Sequence, residues 1–144
     1  MCWTTSIRPQ IKIATENIPV YKIVDKKGGF WFWSTFSSYY YGFIYKLHKR
    51  YSEKIGGIRD LRTGVYAIDK GIHSYHNTLT SISTSKYGDR WIRSFNGEIL
   101  DNYCRFGNVV RVQGYIPKGS KYYLNENGEC ISEQIVLTKY NKIK

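Results

Sequence analysis

The sequence predicts an α+β fold dominated by antiparallel strands, held in one domain over residues 1–138 and followed by a basic tail over residues 139–144. Three observations carry this. Residues with β-branched or aromatic side chains recur in short blocks, the composition that suits a pleated, half-buried surface. Paired glycines and an Asn-Gly step separate those blocks, as turns require. One stretch, from Tyr39 to Ile55, also shows apolar residues at a helical period. A length of 144 residues with 42% hydrophobic residues suffices for a single core.

Ile18 to Val24, IPVYKIV, reads as the first clear strand, and Pro19 near its start is tolerated at a strand edge. Lys26-Lys27-Gly28-Gly29 interrupts it. Phe30-Trp31-Phe32-Trp33 is aromatic on both faces, which predicts a buried or partner-covered strand. Within Tyr39–Ile55, Phe43, Tyr45 and Leu47 alternate as in a strand while Ile44, Leu47, Tyr51 and Ile55 recur as in a helix, so a strand followed by a helix is expected. Gly56-Gly57 and Thr63-Gly64 bracket a basic connection, after which Val65 to Ile68 reads as a short strand. Ser and Thr crowd residues 77–85 and favour a loop or irregular strand. Val110 and Val112 alternate with Arg111 and Gln113 in a strand that ends near Ile116, before a turn at Pro117-Lys118-Gly119. Tyr122–Leu124 and Ile131–Leu137 predict a C-terminal hairpin across Asn125-Glu126-Asn127-Gly128. The tail has no apolar period and is expected to fray.

The formal charge is +11, from 22 Lys and Arg against 11 Asp and Glu. A field of that sign attracts nucleotides, nucleic acid or an acidic protein surface, although A/T-rich codons also enrich Lys, Ile, Asn and Tyr. The apolar runs fall far short of the ~20 residues that cross a bilayer, so no membrane association is expected. The first residues lack a charged leader before an apolar run, which predicts a cytoplasmic location in the host cell. Cys2, Cys104 and Cys130 have neither the number nor the spacing of a disulfide framework and read as reduced thiols. His73 and His76 lack two further ligands at metal-site spacing, so neither metal nor cofactor is expected. Cys104 has Arg105 beside it but no base, and Glu126 and Glu129 read as solvated charges around a turn. Lys26–Gly29 lacks the Lys-Ser/Thr of a phosphate-binding loop.

Basic and aromatic residues interleave twice. The first block runs from Tyr45 to Tyr51 with Lys46, Lys49 and Arg50, and the second is Arg90-Trp91-Ile92-Arg93. A base stacked on an aromatic face gains ~1–3 kcal/mol, and an adjacent cation neutralises phosphate. Arg90, Trp91 and Arg93 are therefore candidate ligand-binding residues.

Ile116 to Tyr123, Gly128-Glu129 and Ser132 before Ile135-Val136-Leu137, with Val20-Tyr21-Lys22 and His73-Ser74-Tyr75, resemble small uncharacterised proteins of gut bacteria and their phages. That likeness implies a phage or mobile-element origin and no particular activity. More remotely, four pieces in order resemble the ADP-ribosyltransferases: Tyr21-Lys22, Ser83-Thr84-Ser85, Ile116-Pro117-Lys118-Gly119, and Ser132-Glu133-Gln134 before the last apolar strand. The resemblance implies an ADP-ribosyltransferase-like fold and a ligand site at Tyr21, Lys22, Ser83, Thr84, Ser85, Glu133 and Gln134. Two positions depart from the family. Lys22 stands for the arginine that would grip a phosphate bidentately, and Gln134 stands for the catalytic carboxylate, with Glu133 one residue out of register. The expectation is thus a non-catalytic accessory protein that binds a nucleotide or nucleic acid, with interference in host defence as its expected setting. An active transferase and a module acting on a host or virion protein are the alternatives.

Overall fold

In the computed structural model the described residues are 3–27, 35–38, 44–62, 64–103 and 109–142. Among them there is no helix, and all regular structure is extended. The α part of the predicted α+β class is therefore corrected to an all-strand architecture over these residues. The aromatic strand expected at Phe30–Trp33 lies outside them.

The main sheet has ten strands, all paired antiparallel. Its path runs β2 (Lys12–Ile13), β14 (Lys121–Leu124), β15 (Glu129–Ser132), β9 (Ile72–His76), β3 (Ile18–Lys27), β13 (Val109–Ile116), β16 (Gln134–Lys142) and β6 (Arg50–Ser52). Two more strands, β4 (Thr35–Ser38) and β5 (Ile44–Lys46), attach beside β3 through β4. The sheet curls on itself. Strands β15 and β16 lie four positions apart in the path yet are consecutive through Glu133 alone. In a flat sheet those positions would be ~19 Å apart, far beyond the ~7 Å that one linking residue spans. The corner is pinned at the backbone of Glu133, whose N–H donates to Lys121 O at 3.0 Å and whose carbonyl accepts from Glu53 N at 2.9 Å.

The expected C-terminal hairpin is present between β14 and β15, with Gly128 at φ 86°. Its second strand stops at Ser132, so Ile135 to Leu137 belong to another strand paired with β13 and β6. The basic tail is not frayed through Lys142, because Lys139 pairs with Gln113 and Lys142 with Val110. Close approach of β16 to β13 requires Gly114: a Cβ there would sit 2.1 Å from Val136 O, at the bulge between Gln113 and Gly114.

Period-two alternation divides the side chains of β3 between two cores. Val20 and Val24 face the inside of the curl with Val112, Ile116, Ile72, Cys130, Ile135 and Leu137. Tyr21 and Ile23 face outward with Tyr75 and are covered by Ile92, Ile82 and Leu100. The cover is a three-stranded sheet of β10 (Thr80–Thr84), β11 (Arg90–Ser94) and β12 (Ile99–Tyr103), so of the loop or irregular strand expected over residues 77–85 the strand is found at Thr80–Thr84. A second three-stranded sheet, of β1 (Trp3–Thr5), β8 (Val65–Ile68) and β7 (Arg59–Arg62), covers Tyr123 and Ile131 with Trp3 and Ile68.

The helix expected within residues 44–55 is replaced by β5, a turn and β6. His48 adopts φ 59° in that turn, and its N–H donates to Leu137 O at 2.7 Å. Tyr45, Leu47 and Tyr51 all reach the inner core, from two strands and the bend between them. A bent extended chain thereby produces the same spacing as a helical face.

Candidate polyanion-binding site

Four cations gather at the β5–β6 turn, three from β5, the turn and β6 and one from the neighbouring β16. Lys46, Lys49 and Arg50 are exposed, and Arg50 pairs with Val136 on β16, which carries exposed Lys139 three residues farther on. Among the described residues none of the four has a carboxylate within ion-pair distance, whereas Arg59 pairs with Asp69 at 2.7 Å. Tyr51 organises the turn. Its hydroxyl accepts from Lys46 N at 2.6 Å, Lys49 Nζ lies 5.4 Å from its ring centroid, and Tyr45 packs edge-on to it at 5.0 Å.

Below the turn, a cavity of about 310 Å³ is lined by Tyr45, Tyr51, Ser52, Glu53 and Ile72. Lys22 lies beside it on the inner face of β3, between Val20 and Val24. Its ammonium donates to the carbonyl of His73, the neighbour of Ile72, and sits 5.4 Å from the Tyr45 ring centroid. Burial pushes the Lys22 ammonium down to about 8, and the Glu53 carboxylate pulls it partly back. Burial also pushes the Tyr45 phenol up, with Glu53 and Tyr51 adding to the shift. Lys22 therefore remains mostly cationic at neutral pH.

The second interleaved block is built differently. Arg93 donates from Nε to Ser83 Oγ and from a terminal nitrogen to Gly97 O, each at 3.0 Å, and its guanidinium lies 5.9 Å from the Trp91 ring centroid. Arg90 and Trp91 are half-buried on the same strand. Asp89, Glu98 and Asp101 belong to this region, and buried Asp101 accepts from Tyr75 at 3.1 Å.

The residues implied by the transferase resemblance are dispersed. Tyr21 is fully buried, stacked on Tyr75, bonded to Thr80 at 2.5 Å and covered by Arg111, so it offers no face to a ligand. Lys22 points to the opposite face of the sheet. Ser83 holds Arg93, exposed Thr84 ends β10, and Ser85 Oγ accepts from Tyr87 N and Asp89 N in the next turn. Glu133 accepts from Lys121 N at 2.8 Å, and Gln134 accepts from Ser120 Oγ at 3.3 Å. Among the described residues no hydrogen bond, ion pair or ring contact joins Glu133 or Gln134 to Tyr21, Lys22 or Ser83–Ser85.

The hairpin carboxylates also differ from expectation. Glu129 is buried and accepts from Asn125, and Trp3 donates to its carbonyl at 2.8 Å. Glu126 is exposed but bonded: burial pushes its carboxyl up, while bonds from Thr5, Ser6 and its own backbone outweigh this and hold it below its ordinary value. Cys130 is a buried thiol pushed up to about 12 by burial and by Glu129, which leaves it unreactive. Cys2 and Cys104 lie outside the described residues. Among the described residues no cluster of three His, Cys, Asp or Glu could hold a metal, and no helix is long and apolar enough to cross a membrane.

No family model, curated protein or solved structure matches the chain. Sequence reading found the Tyr45–Tyr51 block but missed Glu53, Ile72 and Lys139, which only the sheet brings to it.

Proposed function

We propose that this protein binds nucleic acid without catalysis, through phosphate contacts made by Lys46, Lys49, Arg50 and Lys139. The observation that carries this is the convergence of these four exposed cations around one turn, with no carboxylate paired to any of them among the described residues. Cations without an internal partner hold counterion-like positions that phosphates can occupy, and counterion release then drives binding. The half-buried Tyr51 ring beside them offers a face for an unstacked base.

The test is the salt dependence of binding to a fluorescent single-stranded oligonucleotide. Replacing both Lys49 and Arg50 with Ala should lower the log–log salt slope by about 1.4, since each lost contact to a single strand removes ~0.7. Absence of binding at ~50 mM salt, where such contacts are strongest, would exclude the assignment.

A further inference from the structure

We propose that the cavity beneath the β5–β6 turn accepts one guanine base from a single strand, with Glu53 reading its N1–H and N2–H edge. This rests on the nucleic-acid assignment above and adds to it a base-reading pocket at the same place.

The cavity has the size for one base. At about 310 Å³ it stands at the small end of ligand pockets, which run from roughly 300 to 1,000 Å³. Three of its lining residues, Tyr45, Tyr51 and Ile72, give it apolar wall for a base. The two rings meet edge to face at 73°, so each turns a different surface to the interior. The exposed cations Lys46 and Lys49 adjoin these tyrosines: Lys46 N–H donates to Tyr51 and Lys49 Nζ lies 5.4 Å from its ring centroid.

The polar groups of the pocket then select the base. Glu53 lines the cavity, and its carboxylate acts electrostatically on both the Lys22 ammonium and the Tyr45 phenol. Lys22, which does not line the cavity, is bonded to the His73 carbonyl and takes no part in the reading. A carboxylate only accepts hydrogen bonds and can accept two in parallel. The partner edge must therefore carry two adjacent donors. Guanine alone among the common bases presents this set, N1–H and N2–H, on its Watson–Crick edge. Adenine and cytosine place their exocyclic donor beside an acceptor nitrogen, and thymine or uracil flanks its single donor with two acceptors; each would set an acceptor against the carboxylate. Guanine N1–H and N2–H are exposed in this way only when the base is unpaired, so the pocket selects single strands over duplex.

The experiment compares an oligothymidylate with the same oligomer carrying one central guanine, each fluorescently labelled, by anisotropy at ~50 mM salt. The expected result is roughly tenfold tighter binding with guanine, within the range that a bidentate base contact provides. Substituting adenine or cytosine for that guanine should return the affinity to the oligothymidylate value. Glu53→Gln should bring the guanine and thymidylate oligomers to equal affinity, because one amide oxygen cannot accept both N–H groups. Equal affinity of the parent protein for the two oligomers, with binding still salt-dependent, overturns the guanine pocket and leaves the phosphate-binding assignment standing. Failure to bind either oligomer overturns both. Tighter binding to a duplex of the same sequence than to the single strand also overturns the pocket, since a paired guanine cannot present this edge.

Discussion

Two segments of this chain read alike as sequences and differ in what the fold does with them. Both Tyr45–Tyr51 and Arg90–Arg93 interleave cations with aromatic rings. In the first, the cations leave the surface at a turn forced open by His48, and none meets a carboxylate among the described residues. In the second, the strand lies between two others, so Arg93 is held by Ser83, Gly97 and the face of Trp91. A cation at a turn is available to a partner; a cation in the middle of a sheet is part of the scaffold. The lesson is that the interleaved pattern locates aromatic platforms, while the position of the strand in its sheet determines whether the charge is free.

The largest effect should come from reversing the first segment. Lys46→Glu, Lys49→Glu and Arg50→Glu together should weaken single-strand binding at ~50 mM salt on the order of a hundredfold or more, since three phosphate contacts are replaced by repulsion. Anisotropy titration measures it, and a thermal melt near that of the parent protein shows that exposed positions were changed without unfolding.

Next is a substitution that damages the second segment from outside. Gly128 packs where a Cβ would lie 2.8 Å from both Leu79 Cβ and Thr80 Cγ2, at the start of β10. Gly128→Val should cost at least ~2 kcal/mol, from steric overlap and from a β-branched residue at positive φ. Denaturant unfolding measures the loss. Oligonucleotide binding of the folded fraction should persist, because the basic turn lies elsewhere; its loss would show that the two regions are coupled.

Lys22 sharpens the comparison by pH. Its folded pKa, about 8, lies below the ordinary 10.5, so below pH 8 the folded state carries a cation that burial disfavours. As pH rises from 8 to 10.5 the folded protein releases this proton before the unfolded chain does, and that penalty is relieved. Relative to the parent, the stability of Lys22→Met should therefore decline across this window, by up to ~3 kcal/mol. Chemical denaturation of both proteins at pH 7 and pH 10 tests the sign, and a difference that does not change with pH contradicts the burial of the charge.

The smallest effect is expected for Arg93→Ala. Loss of its two hydrogen bonds and its ring contact should lower stability by ~1–2 kcal/mol. The salt slope of binding should not move. A reduced slope would place Arg93 among the phosphate contacts and erase the distinction between the two segments.

Much of the strand pattern was legible along the chain, and the reasons are local. Ile18–Val24, Val110–Ile116 and the Asn-Gly turn at Asn127-Gly128 were each specified by residues whose conformational preference agrees with their place in the sheet. The helix read into residues 44–55 failed because apolar spacing records only that Leu47 and Tyr51 are buried, and a turn between two strands buries the same positions. The fraying expected beyond Leu137 failed because the polar face of Lys139–Lys142 says nothing of backbone pairing with β13. Ser83 and Glu133 were read as site residues because their order along the chain resembles another family; side-chain bonds show Ser83 holding Arg93 and Glu133 holding a corner.

By itself the sequence determined that this chain is rich in strands, carries a surplus of cations and sets tyrosines beside lysines, since propensity, charge and spacing are properties of neighbouring residues. The tertiary structure alone decided which of those groups meet. Ile72 and Glu53 line one cavity because the sheet curls until β6 reaches the strands that flank β3. That closure depends on the single-residue corner at Glu133 and on the bulge at Gly114, contacts between segments far apart along the chain that no local pattern encodes.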